Sequence, residues 1–252
     1  MWASDLAAAF TLLTRFPVAR FAPAARPPDL ARAVWAFPIV GLATGALGGL
    51  VYWAAYRLGV PSWLAACWSL AATMLATGAL HEDGLADTVD GFGGGGNPAR
   101  ALEIMRDSRI GVFGALALVL STAMRISAIA AIYDPRLVVP ALIAVGALGR
   151  GGIIVLLLVL RPARNDGMAA SMDLVPTWSA MLGLSLAGAA SLLALPVRPA
   201  VMASLLGFGA CLVLAKLAHA RIGGFTGDVL GAAEVAYECV VLTTVAAAIG
   251  LR

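Results

Sequence analysis

Seven apolar runs, at about 35 to 56, 63 to 80, 112 to 132, 137 to 160, 177 to 195, 199 to 217 and 229 to 250, set the terms on which this chain can fold. Each is close to the roughly 20 residues that an α-helix needs to cross a hydrocarbon core of about 30 Å. In such a core the backbone must satisfy its own hydrogen bonds, which leaves helices or closed barrels, and runs of this length indicate helices. Composition agrees, with 61% hydrophobic and 12% charged residues, against roughly 25% charged in soluble domains. The expected fold is therefore all-α, a polytopic membrane bundle of about seven transmembrane helices forming one domain over residues 1–252. The shortest run, 63 to 80, is marginal for a full crossing, so a re-entrant segment stays open among the seven.

Residues 1 to 34 are too broken by Arg15, Pro17, Arg20, Arg26, Pro27, Pro28 and Arg32 to span. Leu6, Phe10, Leu13 and Val18 fit one face of an interfacial helix ending near Pro17. The opening MWASDLAAAF lacks a basic n-region and does not read as a cleaved signal peptide. Trp35, Tyr52, Trp53, Trp63, Tyr133 and Trp178 lie near run ends, where amphipathic rings favour the headgroup zone. Eleven of the lysines and arginines fall on the side of the N-terminal segment and four on the other, with Arg125 and Arg150 inside runs. The positive-inside rule then makes the N-terminal side, and every loop rich in acids, cytoplasmic. Arginines scattered between apolar runs are not a phosphate-tracking stripe, so no nucleic-acid partner is expected. Cys67, Cys211 and Cys239 sit unpaired in apolar segments and read as packing residues.

Against this background the stretch HEDGLADTVDGFGGGGNPARALEIMRDSRIGVFG, from His81 to Gly114, carries six of the fourteen acids. Asp83, Asp87 and Asp90 are spaced i, i+4, i+7, which on a helix gathers three carboxylates on one face. Such oxygen donors suit Mg²⁺ or Mn²⁺, with water and substrate phosphates completing the shell. The plainer reading is a solvated acidic loop. It accounts less well for a charge run leaving an apolar span directly, at the membrane boundary where charge is costly. Arg106 and Arg109, beside Asp107 and Ser108, are candidates for binding phosphate, with a basic flank of the next span as the alternative. Asn97-Pro98 predicts an N-capped short helix from Pro98 to Arg106 that returns Arg106 and Asp107 towards the acids.

Gly91, Gly93 and Gly96 satisfy GxGxxG, but no strand precedes them, so FGGGGN reads as a flexible turn or lid. His81-Glu82 lacks the second histidine of a zincin, since Leu85 stands there; His81 is left as a phosphate or proton contact or a span cap. Two further polar clusters share the acid-rich side. Asn165 and Asp166 lie in Arg161-Pro-Ala-Arg164-Asn165-Asp166-Gly167, and Thr226 and Asp228 in Gly223-Gly-Phe-Thr226-Gly-Asp228; both are candidate nucleotide or substrate contacts. Glu234 and Glu238 follow inside a span, where ionisable residues suggest function by default, and Arg150 is their candidate counter-ion. Both are expected to face the interior beside the metal.

HEDGLADTVDG, MRDSRIGVFG and GGFTGDVLGAAEVAYE, with TLLTRFPVAR and PARNDGM between and before them, closely resemble the cobalamin synthase family, the adenosylcobinamide-GDP ribazoletransferases. The resemblance covers nearly the whole chain. It implies an inner-membrane, Mg²⁺-requiring enzyme that joins adenosylcobinamide-GDP to α-ribazole or α-ribazole 5′-phosphate and releases GMP. Carried onto these residues, the expected roles are Asp83, Asp87 and Asp90 as metal ligands, Arg106 and Arg109 on the diphosphate, and Asp107 or Glu238 as a second ligand or base. His81 is kept among the catalytic candidates. The carboxylate logic is similar to that of membrane CDP-alcohol phosphotransferases, but their AR pair is missing, since Asp87 follows Ala86. Another membrane phosphotransferase acting on a nucleotide-activated substrate, or a cation transporter using its intramembrane carboxylates, are the alternatives. Membrane lipid is the expected surrounding, and a homo-oligomer is left open.

Overall fold

The computed structural model describes residues 2–18 and 29–250 and is almost entirely helical, with no strand among the described residues. Arg20, Arg26 and Arg252, counted above as orientation signals, lie outside the described residues. The helices are α1 (Trp2–Leu13), α2 (Leu30–Ala33), α3 (Phe37–Arg57), α4 (Ser62–Thr77), α5 (Leu80–Gly94), α6 (Pro98–Ile104), α7 (Val112–Ile132), α8 (Pro135–Val159), α9 (Thr177–Ala194), α10 (Val197–Ile222) and α11 (Gly227–Gly250). Six spans, ending with or made by α3, α7, α8, α9, α10 and α11, are long and apolar enough to cross a membrane. Counting α4 with α5 as one broken span gives seven.

The break between α4 and α5 is where sequence and structure part. The apolar run reads on to residue 80, yet the chain turns by 88° after Thr77. Gly78 and Ala79 are both left-handed, with φ of 68° and 54°. Gly78 N–H donates to Leu75 O and Ala79 N–H to Met74 O at 2.8 Å, the paired bonds of a Schellman motif that stops a helix. The turn aims α5 along α7 and α11, so its acids lie against other helices and are not on a free loop.

The centre of the bundle is α8, buried along most of its length and packed on α3. Gly41 of α3 faces Gly146 of α8 so closely that a Cβ on either would strike the other's carbonyl oxygen. Small residues let two backbones approach in this way, and dispersion over the close face holds them. Leu116, Val119 and Leu120 of α7, with Leu205, Leu206 and Val213 of α10, point outward and are exposed, as a lipid-facing surface requires.

Local expectations fare unevenly. α6 forms on its Asn97 cap, whose Oδ1 accepts from Arg100 N–H at 2.9 Å, but it ends at Ile104. α1 stops at Leu13, short of Pro17: Thr14 N–H still bonds back to Phe10 O, but the next N–H, that of Arg15, turns out of the helix to Ala76 O at 2.7 Å. Val18 is not part of that helix. Trp35 and Tyr52 are buried, not set in an aromatic belt: Trp35 Nε1–H points to Asp5 at 3.4 Å and Tyr52 donates to Tyr133 O at 2.8 Å. Trp53, Trp63, Tyr133 and Trp178 are exposed. Phe92 to Gly94 continue α5, and Gly93 lies under the Phe113 ring, so this part of the glycine run is packed helix and not a free lid.

Candidate functional site

Two polar regions lie along α5, one open at the end of the bundle and one sealed within it. The open one begins where Gly84 of α5 meets the Asp228 backbone at the start of α11, a contact that leaves no room for a Cβ. Asp83 and Asp228 are thereby brought into the wall of one cavity of about 420 Å³, with Arg106, Arg164, Asp166 and Thr226. The 161–176 loop is fixed there by backbone pairing: Ala163 N–H donates to Phe225 O at 2.8 Å and Phe225 N–H to Arg161 O at 2.9 Å. The two clusters singled out in the sequence therefore meet. Thr226 is folded into the start of α11, its hydroxyl accepting from Val229 N–H and donating to Asp228 Oδ2 at 3.1 Å. Arg164 Nη2 reaches the same Asp228 oxygen at 3.4 Å, and Arg106 is bound to Asp166 at 2.6 Å. The rest of the lining is largely apolar and includes Leu13, Phe37, Ile153, Met172 and Phe225. Such a cavity can hold an anionic group together with an apolar ring.

The three aspartates of α5 have different surroundings. Asp83 is exposed and Asp87 half-buried, and neither accepts a hydrogen bond or makes an ion pair among the described residues. Asp90 is buried, and both its oxygens are engaged: Oδ2 by Gly111 N–H at 2.7 Å and Oδ1 by Gly114 N–H at 2.8 Å. It thus caps the first turn of α7, a task the i+7 spacing did not reveal. Among the described residues no three His, Cys, Asp or Glu side chains converge as a ready ligand set. Asp83 and Asp87, free and beside Asp228, still fit a magnesium ion, which takes few protein carboxylates and completes its shell from water and phosphate.

Asp107 and Arg109 do not line this cavity. They bind each other, Arg109 Nη2 to Asp107 Oδ2 at 2.6 Å and Nε to Oδ1 at 3.0 Å. That guanidinium holds the Asp107 carboxyl down at about 2. Asn165 is exposed beside the cavity without lining it.

The sealed region is a cavity of about 30 Å³ lined by His81, Glu82, Arg125, Arg150, Glu234 and Glu238 among others. Arg125 of α7 donates from Nη1 to Glu82 of α5 at 2.9 Å and to Glu238 of α11 at 3.1 Å. Arg150 of α8 donates to Glu238 at 3.1 Å and to Glu234. His81 Nδ1 lies 3.7 Å from Glu234 and closes the circuit back to α5. Four helices are tied through charge, as an apolar medium demands of any ion kept inside it. Arg150 is the counter-ion the sequence suggested; Arg125 and Glu82 were not anticipated as partners. A lone arginine in an apolar run signals an unseen partner, but nothing in the run says which acid it is. Glu238 is held by two arginines here. His81 alone lines both the sealed cavity and the open one.

Residues 5–246 match the family described as Cobalamin-5-phosphate synthase. Similar proteins named adenosylcobinamide-GDP ribazoletransferase include one from Bradyrhizobium diazoefficiens, 47% identical over 97% of this chain and 94% of its own. One from Azorhizobium caulinodans is 42% identical over 92% of this chain and 90% of its own. One from Mesorhizobium japonicum is 40% identical over 97% and 93%. No solved structure matches the chain.

Proposed function

The chain belongs to the Cobalamin-5-phosphate synthase family, and from that premise we propose a division of labour in the open cavity for the family's reaction. The protein is a membrane-embedded transferase of cobalamin nucleotide-loop assembly. Its donor is adenosylcobinamide-GDP and its acceptor α-ribazole or α-ribazole 5′-phosphate. The acceptor hydroxyl forms a new bond to the phosphorus on the cobinamide side, the bond from that phosphorus to GMP breaks, and GMP leaves.

The observation that carries the assignment is the meeting of Asp83 with Asp228, beside Arg106 and Arg164, in a cavity otherwise lined largely by apolar residues. Asp83 and Asp87, with Asp228 opposite, would hold Mg²⁺, which supplies charge neutralisation and Lewis acidity for phosphoryl transfer. Arg106 and Arg164 bind and orient the diphosphate, since a guanidinium meets phosphate through two parallel N–H bonds. Arg106 exchanges Asp166 for phosphate in doing so. Asp90 keeps α5 seated on α7 and so fixes the direction of Asp87. Thr226 fixes Asp228 through its hydroxyl. The apolar lining excludes water from the reacting phosphorus, which strengthens these charges.

The arginine and lysine bias supports a cytoplasmic location for this cavity and an inner-membrane setting for the protein. The pairing of Glu234 and Glu238 with Arg125 and Arg150 favours the enzyme over a cation pathway, because paired carboxylates offer no free site to a passing ion.

Detergent-purified protein supplied with adenosylcobinamide-GDP, α-ribazole and Mg²⁺ is expected to release GMP and form a cobalamin. Inactivity of folded wild-type protein would refute the transferase reading. Full activity of Asp83→Asn and Asp87→Asn would keep the family and move the metal elsewhere.

A further inference from the structure

Asp83 stands in the wall of a second cavity as well. This open groove of about 450 Å³ runs between α1 and the α4–α5 turn and is lined by Thr11, Thr14, Arg15, Thr77, Gly78 and Asp83, among others. Leu12 and Leu80 line both cavities and form the partition between them. Among the described residues that line it, Arg15 is the only cation and Asp83 the only acid. Arg15 is exposed and has no carboxylate partner among the described residues, whereas Arg106 and Arg164 each have one.

Arg15 is nevertheless held in place. Its N–H donates to Ala76 O at 2.7 Å, and its side chain lies across Gly78 so closely that a Cβ there would overlap Nε and the guanidinium carbon. Gly78 is already required by its φ of 68°, so one residue both turns α4 into α5 and makes room for the arginine. The Thr14 and Thr77 hydroxyls are spent on Phe10 O and Thr73 O, which leaves Arg15 and Thr11 as the side-chain donors facing the groove. The TLLTR segment has no part in the diphosphate cavity beyond Leu12 and Leu13, so this cation needs another purpose.

We infer that the Arg15 groove seats the phosphate monoester of the acceptor, while the larger cavity takes the activated donor. This rests on the transferase reading above. Two substrates must reach one phosphorus, and two cavities meet at Asp83. The family's description, a synthase of cobalamin 5-phosphate, names a product that keeps a phosphate the transfer does not consume. A phosphate carried through unchanged needs a seat outside the diphosphate site, and a guanidinium with a neighbouring hydroxyl is the chemistry that recognises it.

The test compares kcat/KM for α-ribazole 5′-phosphate and for α-ribazole, at saturating adenosylcobinamide-GDP, in wild type, Arg15→Gln and Gly78→Ala. Arg15→Gln is expected to lower the ratio of the phosphorylated to the unphosphorylated acceptor by about tenfold or more, the effect of one lost charge-assisted contact. Gly78→Ala, which displaces the same side chain, is expected to shift the ratio in the same direction; Arg15→Gln alone decides if that variant does not fold. The donor KM serves as the control. Equal losses on both acceptors would overturn the inference. So would a loss that appears only with anionic phospholipid added to the detergent, which would assign Arg15 to a lipid headgroup. No turnover of either acceptor by folded wild-type protein would refute the transferase reading, and this inference with it.

Discussion

The open cavity and the sealed ring both take carboxylates from α5 and α11 and set arginines beside them, yet only the cavity leaves an acid without an ion-pair partner among the described residues. In the ring, Glu82, Glu238 and Glu234 are each matched to Arg125 or Arg150, and the circuit closes on itself. In the cavity Asp166 and Asp228 are paired with Arg106 and Arg164, but Asp83, and Asp87 one turn further along α5 outside the lining, have no ion-pair partner among the described residues. An unpaired charge within hydrocarbon costs several kcal/mol, so each of the three interior carboxylates is kept on at least one of the two guanidiniums. At the solvated end an unpaired carboxylate is affordable, and it is there that a ligand can complete the pairing. One helix carries both states because neighbouring residues of α5 point about 100° apart, so Glu82 meets Arg125 while Asp83 lines the cavity. Glu82 is taken up by Arg125, whereas Asp83, its neighbour, stays exposed and open to a ligand.

The comparison breaks most visibly if a ring charge is removed. Arg125→Met is expected to destabilise the protein by about 3–5 kcal/mol, because it strands Glu82 without a counter-charge and leaves Glu234 and Glu238 to share Arg150 alone. Thermal unfolding in detergent measures this, and adding Glu82→Gln to the variant should return part of the loss. A small effect from the single substitution would mean that the ring is hydrated, and the distinction between the two regions would fall. Substituting the cavity acids should act on catalysis instead. Asp83→Asn is expected to lower kcat/KM by about a hundredfold or more, the loss of one preorganised electrostatic contact to the transition state. Its melting temperature without Mg²⁺ should be unchanged or higher, since a repelling charge has been removed. A marked fall would make Asp83 structural.

These regions were not equally legible beforehand. The spans were, because an apolar run of some 20 residues has few other outcomes. The carboxylate face of α5 was also legible, because i, i+4, i+7 spacing is a local property of a helix. The turn after Thr77 was hidden, since Gly78 and Ala79 read as a continuation of the apolar run and no proline marks the stop. Asp90 was indistinguishable from Asp83 and Asp87 by spacing. Only the entry of α7 beneath it makes it a cap. Arg109 reads from the sequence as a candidate phosphate ligand; in the structure it pairs with Asp107, two residues away, outside the cavity lining. Arg15 reads from the sequence as an interruption to a broken segment, one of the basic orientation signals and part of TLLTRFPVAR, but its place in a groove depends on Gly78, far along the chain.

Metal linkage sharpens the comparison at a smaller scale. If Asp83, Asp87 and Asp228 hold Mg²⁺, saturating metal should stabilise the folded protein by RT ln(1 + [L]/Kd), about 2.7 kcal/mol at a hundredfold excess over Kd. Chelation should reverse the shift. The shift should be lost in Asp83→Asn but kept in Arg125→Lys, provided that variant folds, because the ring lies outside the ligand set. A metal-induced rise of equal size in Asp83→Asn would place the ion elsewhere.

The smallest effect concerns how α6 delivers Arg106. Asn97 accepts the Arg100 N–H and starts α6, whose end carries Arg106 to the cavity, although neither residue touches Asp83 in doing so. Asn97→Ala should remove about 1 kcal/mol of local helix stability. A seven-residue helix has little cooperative reserve, so most of that loss should appear as fraying at α6 and little as global unfolding. The expected signature is faster hydrogen exchange over α6 and a higher donor KM, with the melting temperature hardly moved. If exchange quickens and the donor KM stays fixed, Arg106 reaches the diphosphate without help from α6. The burden of orienting the donor then passes to Arg164, whose loop is held by backbone pairing to Phe225 and does not depend on a cap.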